Sequence, residues 1–234
     1  MGINVYATLL AIYAQILKNY YLFIDTETNG LPKKWGKPYS ETENWPNVIQ
    51  VSWVIYSFDG TYVKEENYYI SNPAIQIPEE SFAIHHLSQS FLLENGKNIL
   101  TILPQLEADI AKYDPIVIGH FIEFDESVIA AEFARANLEL NMLNQPAFCT
   151  MMSSSTLIPT LTTRRWKLTE LYFYFYGKEQ LHPHNAIYDA KATAECFFTL
   201  KERFGLTETS ILEQKPLAKM FQNTDAKKKK GWFF

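Results

Sequence analysis

The chain has 234 residues and carries 21 basic against 26 acidic side chains, which gives a formal net charge of −5 at pH 7. Hydrophobic residues make up 47% of the chain and charged residues 20%, a globular composition that excludes a disordered or collagen-like chain. The acidic excess argues against a protein that coats nucleic acid with a basic surface, but it suits a cation site built from carboxylates. Two cysteines, Cys149 and Cys196, provide neither a disulfide framework nor a zinc spacing, and we expect a reduced, cytoplasmic protein.

The first nineteen residues contain a mostly apolar run, Val5–Leu17. Its thirteen residues are too few to span a bilayer, which needs about 20, and no basic segment precedes it as in a signal peptide. The apolar positions recur at helical spacing. We therefore expect residues 1–19 to form an amphipathic helix packed on the body of the protein, with no membrane attachment.

Strand and helix patterns then alternate along residues 20–205, which we expect to form one domain. Strands are predicted at Tyr20–Asp25, Val48–Phe58, Tyr62–Ile70, Ile116–Gly119 and Phe148–Met151. Helices are predicted at Glu79–Leu87, Pro104–Tyr113, Asp125–Asn137, Lys167–Tyr176 and Ala186–Phe204, with a Ser/Thr/Pro-rich loop up to Thr163. Asp59-Gly60 is a strong hairpin signal, and the short apolar runs are typical of buried strands. The order predicts an α/β fold with a mixed sheet, followed by a flexible, basic tail over residues 206–234.

Acidic side chains occur where two strands end and where the last long helix begins. Asp25 and Glu27 are two residues apart on a strand, so they share one face of the sheet. Asp125 follows the strand IVIG, and Asp189 lies five residues after His184. Each acid alone has another explanation, as a cap or a solvated partner of a helix dipole. Together at the edge where open α/β sheets bind ligands, they would repel one another without a cation, and oxygen donors favour magnesium or manganese.

Three segments of the chain carry a resemblance to a known family. FIDTETNG (Phe23–Gly30), GHFIEFD (Gly119–Asp125) and HNAIYDAKATAECF (His184–Phe197) resemble the three exonuclease motifs of the DNA polymerase III epsilon-subunit family, the DEDDh 3′→5′ exonucleases. The resemblance covers about residues 20–204. It implies an exonuclease domain with an RNase H-like fold, in which helices flank a five-stranded mixed sheet whose second strand is antiparallel.

The resemblance also implies the roles of five residues. It makes Asp25, Glu27, Asp125 and Asp189 the ligands of two divalent cations, Mg²⁺ or Mn²⁺, with Glu27 counted among the catalytic residues. His184 becomes the general base, and the spacing to Asp189 separates this subclass from one that uses tyrosine. The implied reaction is two-metal hydrolysis of the terminal phosphodiester, which releases a nucleoside 5′-monophosphate.

The implied substrate is the 3′ end of a single strand. Its terminal nucleotide is expected to contact Thr28, Asn29, Leu31, Ile84, His85 and His120. Trp35, Trp45 and Trp53 are open to base stacking or to packing, and we favour packing. The chain departs from the family at Phe121, where asparagine is usual, and at His86, where glycine is common.

The sequence favours a DNA exonuclease of the proofreading or repair type that acts on single-stranded or frayed ends. An RNA-processing exoribonuclease of the oligoribonuclease or RNase T kind would use the same five residues, so the motifs do not separate DNA from RNA. A catalytically silent binding module is a third interpretation, which the complete set of site residues disfavours. QKPLAKMF (Gln214–Phe221) is similar to a sliding-clamp peptide, so the tail is also a candidate contact for a clamp or polymerase.

Overall fold

A computed structural model describes residues 18–158 and 165–214 of the chain. The helix predicted over residues 1–19, apart from its last two residues, lies outside the described residues. So do residues 159–164 of the predicted loop and the tail beyond residue 214.

Five strands form one mixed sheet. They are β1 (Tyr20–Thr28), β2 (Val48–Ser57), β3 (Tyr62–Tyr69), β4 (Ile116–Gly119) and β5 (Ala147–Cys149). Their order across the sheet is β3-β2-β1-β4-β5. Strand β2 is antiparallel to β1 and β3, whereas β4 is parallel to β1 and β5. The prediction of a five-stranded mixed sheet with an antiparallel second strand is therefore confirmed.

The described residues also contain eight α-helices and two short 3-10 helices. The α-helices are α1 (Glu79–His85), α2 (Gln89–Asn95), α3 (Ile99–Tyr113), α4 (Ile122–Ala136), α5 (Thr150–Leu157), α6 (Leu168–Tyr176), α7 (Ala186–Phe204) and α8 (Glu208–Leu212). The 3-10 helices are Thr42–Asn44 and Met142–Asn144. None of the helices in the described part of the chain is both long and apolar enough to cross a membrane.

Helices cover both faces of the sheet, which explains why residues 20–24, the first part of β1, form a continuous apolar run. Leu22 and Ile24 of β1 belong to the core formed with α3 and α4. Tyr21 and Phe23, on the opposite face, pack against Phe197 of α7. Because successive side chains of a strand alternate between faces, a segment buried on both faces is apolar at every position, and polar side chains begin only at Asp25, near the C-terminal end of β1.

Several element boundaries differ from the sequence prediction for physical reasons. Helix α3 begins at Ile99 instead of Pro104, because Asn98 caps it and the burial of Leu103 and Leu106 outweighs the backbone bond that proline cannot donate. The short helix α2 was not predicted; the Ser88 hydroxyl caps it.

The predicted Ser/Thr-rich loop is in part helix α5. Hydroxyl groups of Ser155 and Thr156 donate hydrogen bonds to the carbonyls of Met151 and Met152, four residues earlier. Such side-chain bonds to the backbone satisfy hydroxyl groups within a helix, although composition alone favours a loop. Strand β5 consequently ends at Cys149, two residues before the predicted end.

The packed body continues past residue 205, where the flexible tail was predicted to begin. Ile211 of α8 is fully buried against the sheet. The side chain of Gln214 accepts a hydrogen bond from the Cys149 N–H (2.5 Å) and donates to the Cys149 carbonyl (3.3 Å). Gln214 is the first residue of the clamp-like segment, and its side chain is therefore already bonded to β5; the rest of that segment lies outside the described residues.

A buried ion pair fixes the start of β2 to α4. Glu132 accepts hydrogen bonds from the Val48 N–H (2.9 Å) and the Arg135 guanidinium (2.8 Å), and its side chain is only 6% exposed. The pair between Lys191 and Glu65 has a similar length, 2.8 Å, but lies at the surface. The two pairs therefore differ mainly in burial.

We expect Glu132→Ala to lower the free energy of unfolding by about 3 kcal/mol, because it leaves the buried Val48 N–H without its acceptor and the partly buried Arg135 guanidinium without its counter-charge. Glu65→Ala is the control and should cost less than about 1 kcal/mol, since exposed pairs contribute little. Urea denaturation of both variants measures the difference. Equal losses in the two variants would show that burial does not decide the strength of these pairs.

Candidate active site

The C-terminal end of β1 carries two acidic side chains on the face of the sheet that α7 covers. Asp25 and Glu27 have the same strand parity as Phe23, which packs against α7, the helix that carries Asp189. Thr26 has the opposite parity, and its hydroxyl donates a 2.7 Å hydrogen bond to Asp125 in the first turn of α4. Because side chains alternate along β1, its residues lie on both faces of the sheet. One face is covered by α7, which carries Asp189, and the other by α4, which carries Asp125.

A cavity of about 480 Å³ lies at this edge of the sheet. Asp25, Glu27, Asp189 and His184 all line it. One ligand atom from each of Glu27, His184 and Asp189 lies within 4.8 Å of the other two. The structure therefore brings together the acids that the sequence left dispersed, with Asp125 held beside them through Thr26.

Burial raises the pKa of all four carboxyl groups, and repulsion by neighbouring carboxylates adds to the rise in Asp25, Glu27 and Asp125. Burial, reinforced by the three other carboxylates, raises the pKa of Asp25 well above its usual value. The pKa of Glu27 is raised by burial and then by Asp189 and Asp125. Burial also raises the pKa of Asp125 and of Asp189 to about 7, although hydrogen bonds to both carboxylates lower them. The four groups thus strongly disfavour their simultaneous ionisation.

The donor set fits divalent cations. Within residues 18–158 and 165–214, no lysine or arginine forms an ion pair with any of the four carboxylates. Carboxylate oxygens are the preferred ligands of magnesium and manganese, whereas an ordinary zinc site uses more nitrogen or sulfur. A cation between these groups would remove the repulsion that raises their pKa values.

Two donors orient the Asp189 carboxylate. The side-chain amide of Gln180 donates to its Oδ1, and the backbone N–H of His184 donates to its Oδ2 at 3.2 Å. Gln180 is buried, although it lies in the polar segment between α6 and α7. Sequence analysis missed Gln180 and Thr26, because hydrogen bonds made across the fold leave no local pattern.

His184 and His182 have different surroundings. His184 lines the cavity, and its residue adopts a left-handed backbone conformation with φ of 62°. Burial, with Lys167 and His86 nearby, lowers its pKa below the usual histidine value, which favours the neutral imidazole. His182 instead packs its ring against Tyr188, with 4.6 Å between the ring centroids.

Most of the residues predicted to contact the terminal nucleotide line the cavity, but Asn29 does not. Thr28, Leu31 and Ile84 line the cavity, and Leu31 is 42% exposed. Asn29 lies outside the residues that line it. Its side chain instead joins two loops, donating to the Gln76 carbonyl at 3.1 Å and accepting from the Asn47 N–H at 2.8 Å.

Two buried histidines in the cavity wall are held as neutral rings. His85 Nδ1 accepts a hydrogen bond from the Leu87 N–H at 3.0 Å. The two ring nitrogens of His120 lie 3.0 Å from the Thr150 hydroxyl and 2.9 Å from the Trp166 carbonyl. Burial lowers the pKa of each histidine to about 4. The ring of His120 is therefore bonded on both sides within the protein.

Both departures from the family pattern occur at left-handed backbone positions. His86 ends α1 with φ of 58°, and Phe121 precedes α4 with φ of 80°. Glycine and asparagine adopt this conformation more readily than other residues. Of the three tryptophans, Trp45 and Trp53 are buried as expected, whereas Trp35 lines the cavity.

Comparison with known proteins gives a family match and several structurally similar nucleases. The exonuclease family model, named RNase_T, matches residues 22–197. The comparison with curated proteins gave no significant match. A structure of exonuclease I is 15% identical over 83% of this chain and 42% of that chain, with a TM-score of 0.66.

Two further structures are similar. E. coli exonuclease I in complex with a dT13 oligonucleotide is 14% identical over 87% of this chain and 43% of that chain, with a TM-score of 0.64. The nuclease domain of 3′hExo, a DEDDh family member bound to rAMP, is 14% identical over 80% of this chain and 93% of that chain, with a TM-score of 0.61. The chain thus spans less than half the length of exonuclease I. The likeness confirms the predicted RNase H-like fold.

The raised carboxyl pKa values predict how the stability of the metal-free protein depends on pH. Because the folded state binds these protons more tightly than the unfolded state, their stabilising contribution is complete below about pH 4 and is lost as pH rises through about 7. In EDTA, the melting temperature should therefore fall between pH 5 and pH 8, and magnesium should restore it at pH 8.

The variant Asp25→Asn removes one of the repelling charges. It should raise the metal-free melting temperature at pH 8 by ~3 °C or more, the shift that ~1 kcal/mol produces in a chain of this size, and should weaken the response to magnesium. Glu43→Gln, at an exposed position, is the control and should change neither. Scanning calorimetry measures both effects. A lower metal-free melting temperature for Asp25→Asn would contradict carboxylate repulsion.

Proposed function

The chain belongs to the exonuclease family, and on that premise we propose that it is a metal-dependent 3′→5′ exonuclease acting on single-stranded or frayed DNA ends. The observation that carries the proposal is the convergence of Asp25, Glu27, Asp189 and His184 on one cavity, with Asp125 hydrogen-bonded at its edge. We assign the exonuclease domain to residues 20–205, which includes the whole family match. The product is a nucleoside 5′-monophosphate.

The four carboxylates would hold two divalent cations, magnesium or manganese. Such ions neutralise charge on the phosphodiester and make a water molecule more acidic. The chain's own contribution is orientation. Thr26 fixes Asp125, and Gln180 with the His184 backbone fixes Asp189, so the ligand oxygens are arranged before a cation or substrate binds.

His184 is the general base in this proposal. Its imidazole lies beside Glu27 and Asp189, where the attacking water would be activated. Because its pKa is lowered, the ring is neutral at physiological pH and can accept the proton of that water. The leaving group is the 3′ oxygen of the next nucleotide.

The charge of the chain supports recognition of a strand end instead of a long duplex. Residues 1–204 carry 15 basic and 23 acidic side chains, so long-range attraction for a polyanion is weak. Affinity should then come from the cations and from contacts inside the cavity. Such a site accepts an unpaired terminal nucleotide, which a frayed or mismatched end supplies more readily than a paired one.

DNA is the substrate that we propose first. Support comes from E. coli exonuclease I, a structurally similar protein that binds dT13 and dA16 oligonucleotides. The nuclease domain of 3′hExo was bound to rAMP, so the similar structures include both sugar types. The experiment below therefore compares DNA with RNA directly.

Degradation of 5′-labelled oligomers with magnesium tests the function. Linear single strands should shorten stepwise from the 3′ end, DNA faster than RNA of the same sequence, and a 3′-phosphate should slow the reaction. Circular single strands, the control, should stay intact because they have no end. Cleavage of circles at a comparable rate would contradict exonuclease action, whereas faster degradation of RNA would overturn only the choice of DNA.

Replacement of the two neighbouring histidines tests the general base. His184→Ala should lower kcat by at least about a hundredfold, because a positioned base contributes typically 10²–10⁴ in rate, and magnesium should still stabilise the folded protein. His182→Ala should stay within a few-fold of the parent, since its ring packs on Tyr188. The acidic limb of the pH–rate profile should also flatten in His184→Ala. If His182→Ala is the crippling variant, the base is wrongly assigned.

A further inference from the structure

A buried amide lies beside the acids of β1 and takes no part in the proposed chemistry. Gln50 of β2 is fully buried, and it pairs with Glu27 across the two antiparallel strands. Ser52, which is also fully buried, pairs with Asp25 in the same way. Because opposite residues of antiparallel strands share a face of the sheet, both polar side chains lie on the face that α7 covers. A buried amide is costly unless its polar atoms are hydrogen-bonded.

The amide of Gln50 is hydrogen-bonded to the first residues of α7. Its Oε1 accepts a hydrogen bond from the Ala186 N–H at 3.3 Å. Its Nε2 donates to Asn185 Oδ1 at 3.1 Å and to Asn67 Oδ1, on β3, at 2.9 Å. The Ser52 hydroxyl donates to the same oxygen of Asn67 at 2.8 Å. We call these four side chains, Gln50, Ser52, Asn67 and Asn185, the amide network.

The side chain of Asn185 serves this network and not its own helix. Asn185 is the N-cap of α7, and asparagine at that position usually accepts a hydrogen bond from the second or third N–H of the helix. No such bond is made here, and Oδ1 accepts from Gln50 instead. The start of α7 is therefore bonded to the sheet.

Two residues of the candidate site lie at this start of α7. His184 directly precedes Asn185, and its backbone N–H donates to Asp189 in the first turn of the helix. Ligand atoms of His184 and Asp189 lie within 4.8 Å of one from Glu27, the strand partner of Gln50. A shift of the helix start relative to β2 would therefore move His184 and Asp189 together, away from the acid that stays on the sheet.

We infer that Gln50 is a positioning residue, which holds His184 and Asp189 at their distance from Glu27 by fixing the start of α7 to β2. This inference rests on the proposed function. Gln50 is not among the residues that line the cavity, so it acts through the helix. A misplacement of about 1 Å can cost about a hundredfold in rate, so such a link affects turnover without contact with the substrate.

The variant Gln50→Met removes the hydrogen bonds but keeps an unbranched side chain of similar length. We expect kcat at saturating magnesium to fall about tenfold or more, and magnesium to bind about tenfold more weakly, because loss of a residue that orients ligands typically costs 10–100-fold. KM for the oligomer should stay within a few-fold. Hydrogen exchange gives a readout without turnover: the backbone amides of residues 184–190 should exchange faster, whereas those of β4 should not.

Ile55→Ala is the control for lost stability. Ile55 is fully buried on the same strand, but it belongs to the core on the opposite face of the sheet. The melting temperature of Ile55→Ala should fall at least as far as that of Gln50→Met. Its kcat and magnesium binding should stay within a few-fold of the parent, at a temperature where both variants are folded. If the two variants lose activity equally, Gln50 only stabilises the fold and the inference is overturned.

Asn185→Ala breaks the link from the helix side and decides the test if Gln50→Met does not fold. It should show the same loss in kcat and the same faster exchange. Where both fold, the double variant should be no worse than the more impaired single variant, because both changes break one link. Parent-like kcat and magnesium binding in the variant measured would overturn the positioning role. A parent that degrades no strand would instead overturn the proposed function, and hydrogen exchange would still test the link between Gln50 and α7.

Discussion

Four carboxylates lie close together at one edge of the sheet, and the packing of the rest of the structure must counteract their electrostatic repulsion. Burial and neighbouring carboxylates raise the pKa of Asp25 and Glu27, so the ionised arrangement costs stability without a cation. The fold opposes it with strand β1, which is buried on both faces and cannot move its acids apart without breaking two cores. Hydrogen bonds from Thr26 and Gln180 then fix the direction of two acids on the covering helices.

The sequence predicted those structural features that depend on local residue patterns. The hairpin that joins β2 and β3, the bounds of α7 and the pairing of Asp25 with Glu27 on one face follow from side-chain periodicity and turn residues. The antiparallel second strand was implied by the resemblance to the family. Helices α3 and α5 were mispredicted because proline and hydroxyl residues are poor local helix formers, and only tertiary burial and side-chain bonds to the backbone make them helical. Gln180 bonds to Asp189 and Trp35 lines the cavity through tertiary contacts that no local sequence pattern contains.

Left-handed residues cluster around the candidate site. His86, Phe121 and His184 all have positive φ, although none is glycine. Two of them line the cavity, and the third ends the helix that carries Ile84. Such conformations are costly for residues other than glycine, and they are often found at functional sites. The stability of the rest of the fold must therefore offset this backbone strain at the candidate site.

The contact between Gln214 and Cys149 has a consequence for solubility. Strand β5 is the last strand of the sheet, and an open strand edge is a template on which another chain can add and begin aggregation. The amide of Gln214 occupies both backbone groups of Cys149, as a neighbouring strand would, while Ile211 covers the apolar surface below. A chain shortened to the end of α7 would keep all five residues of the candidate site, yet it would present an unprotected edge to its own copies.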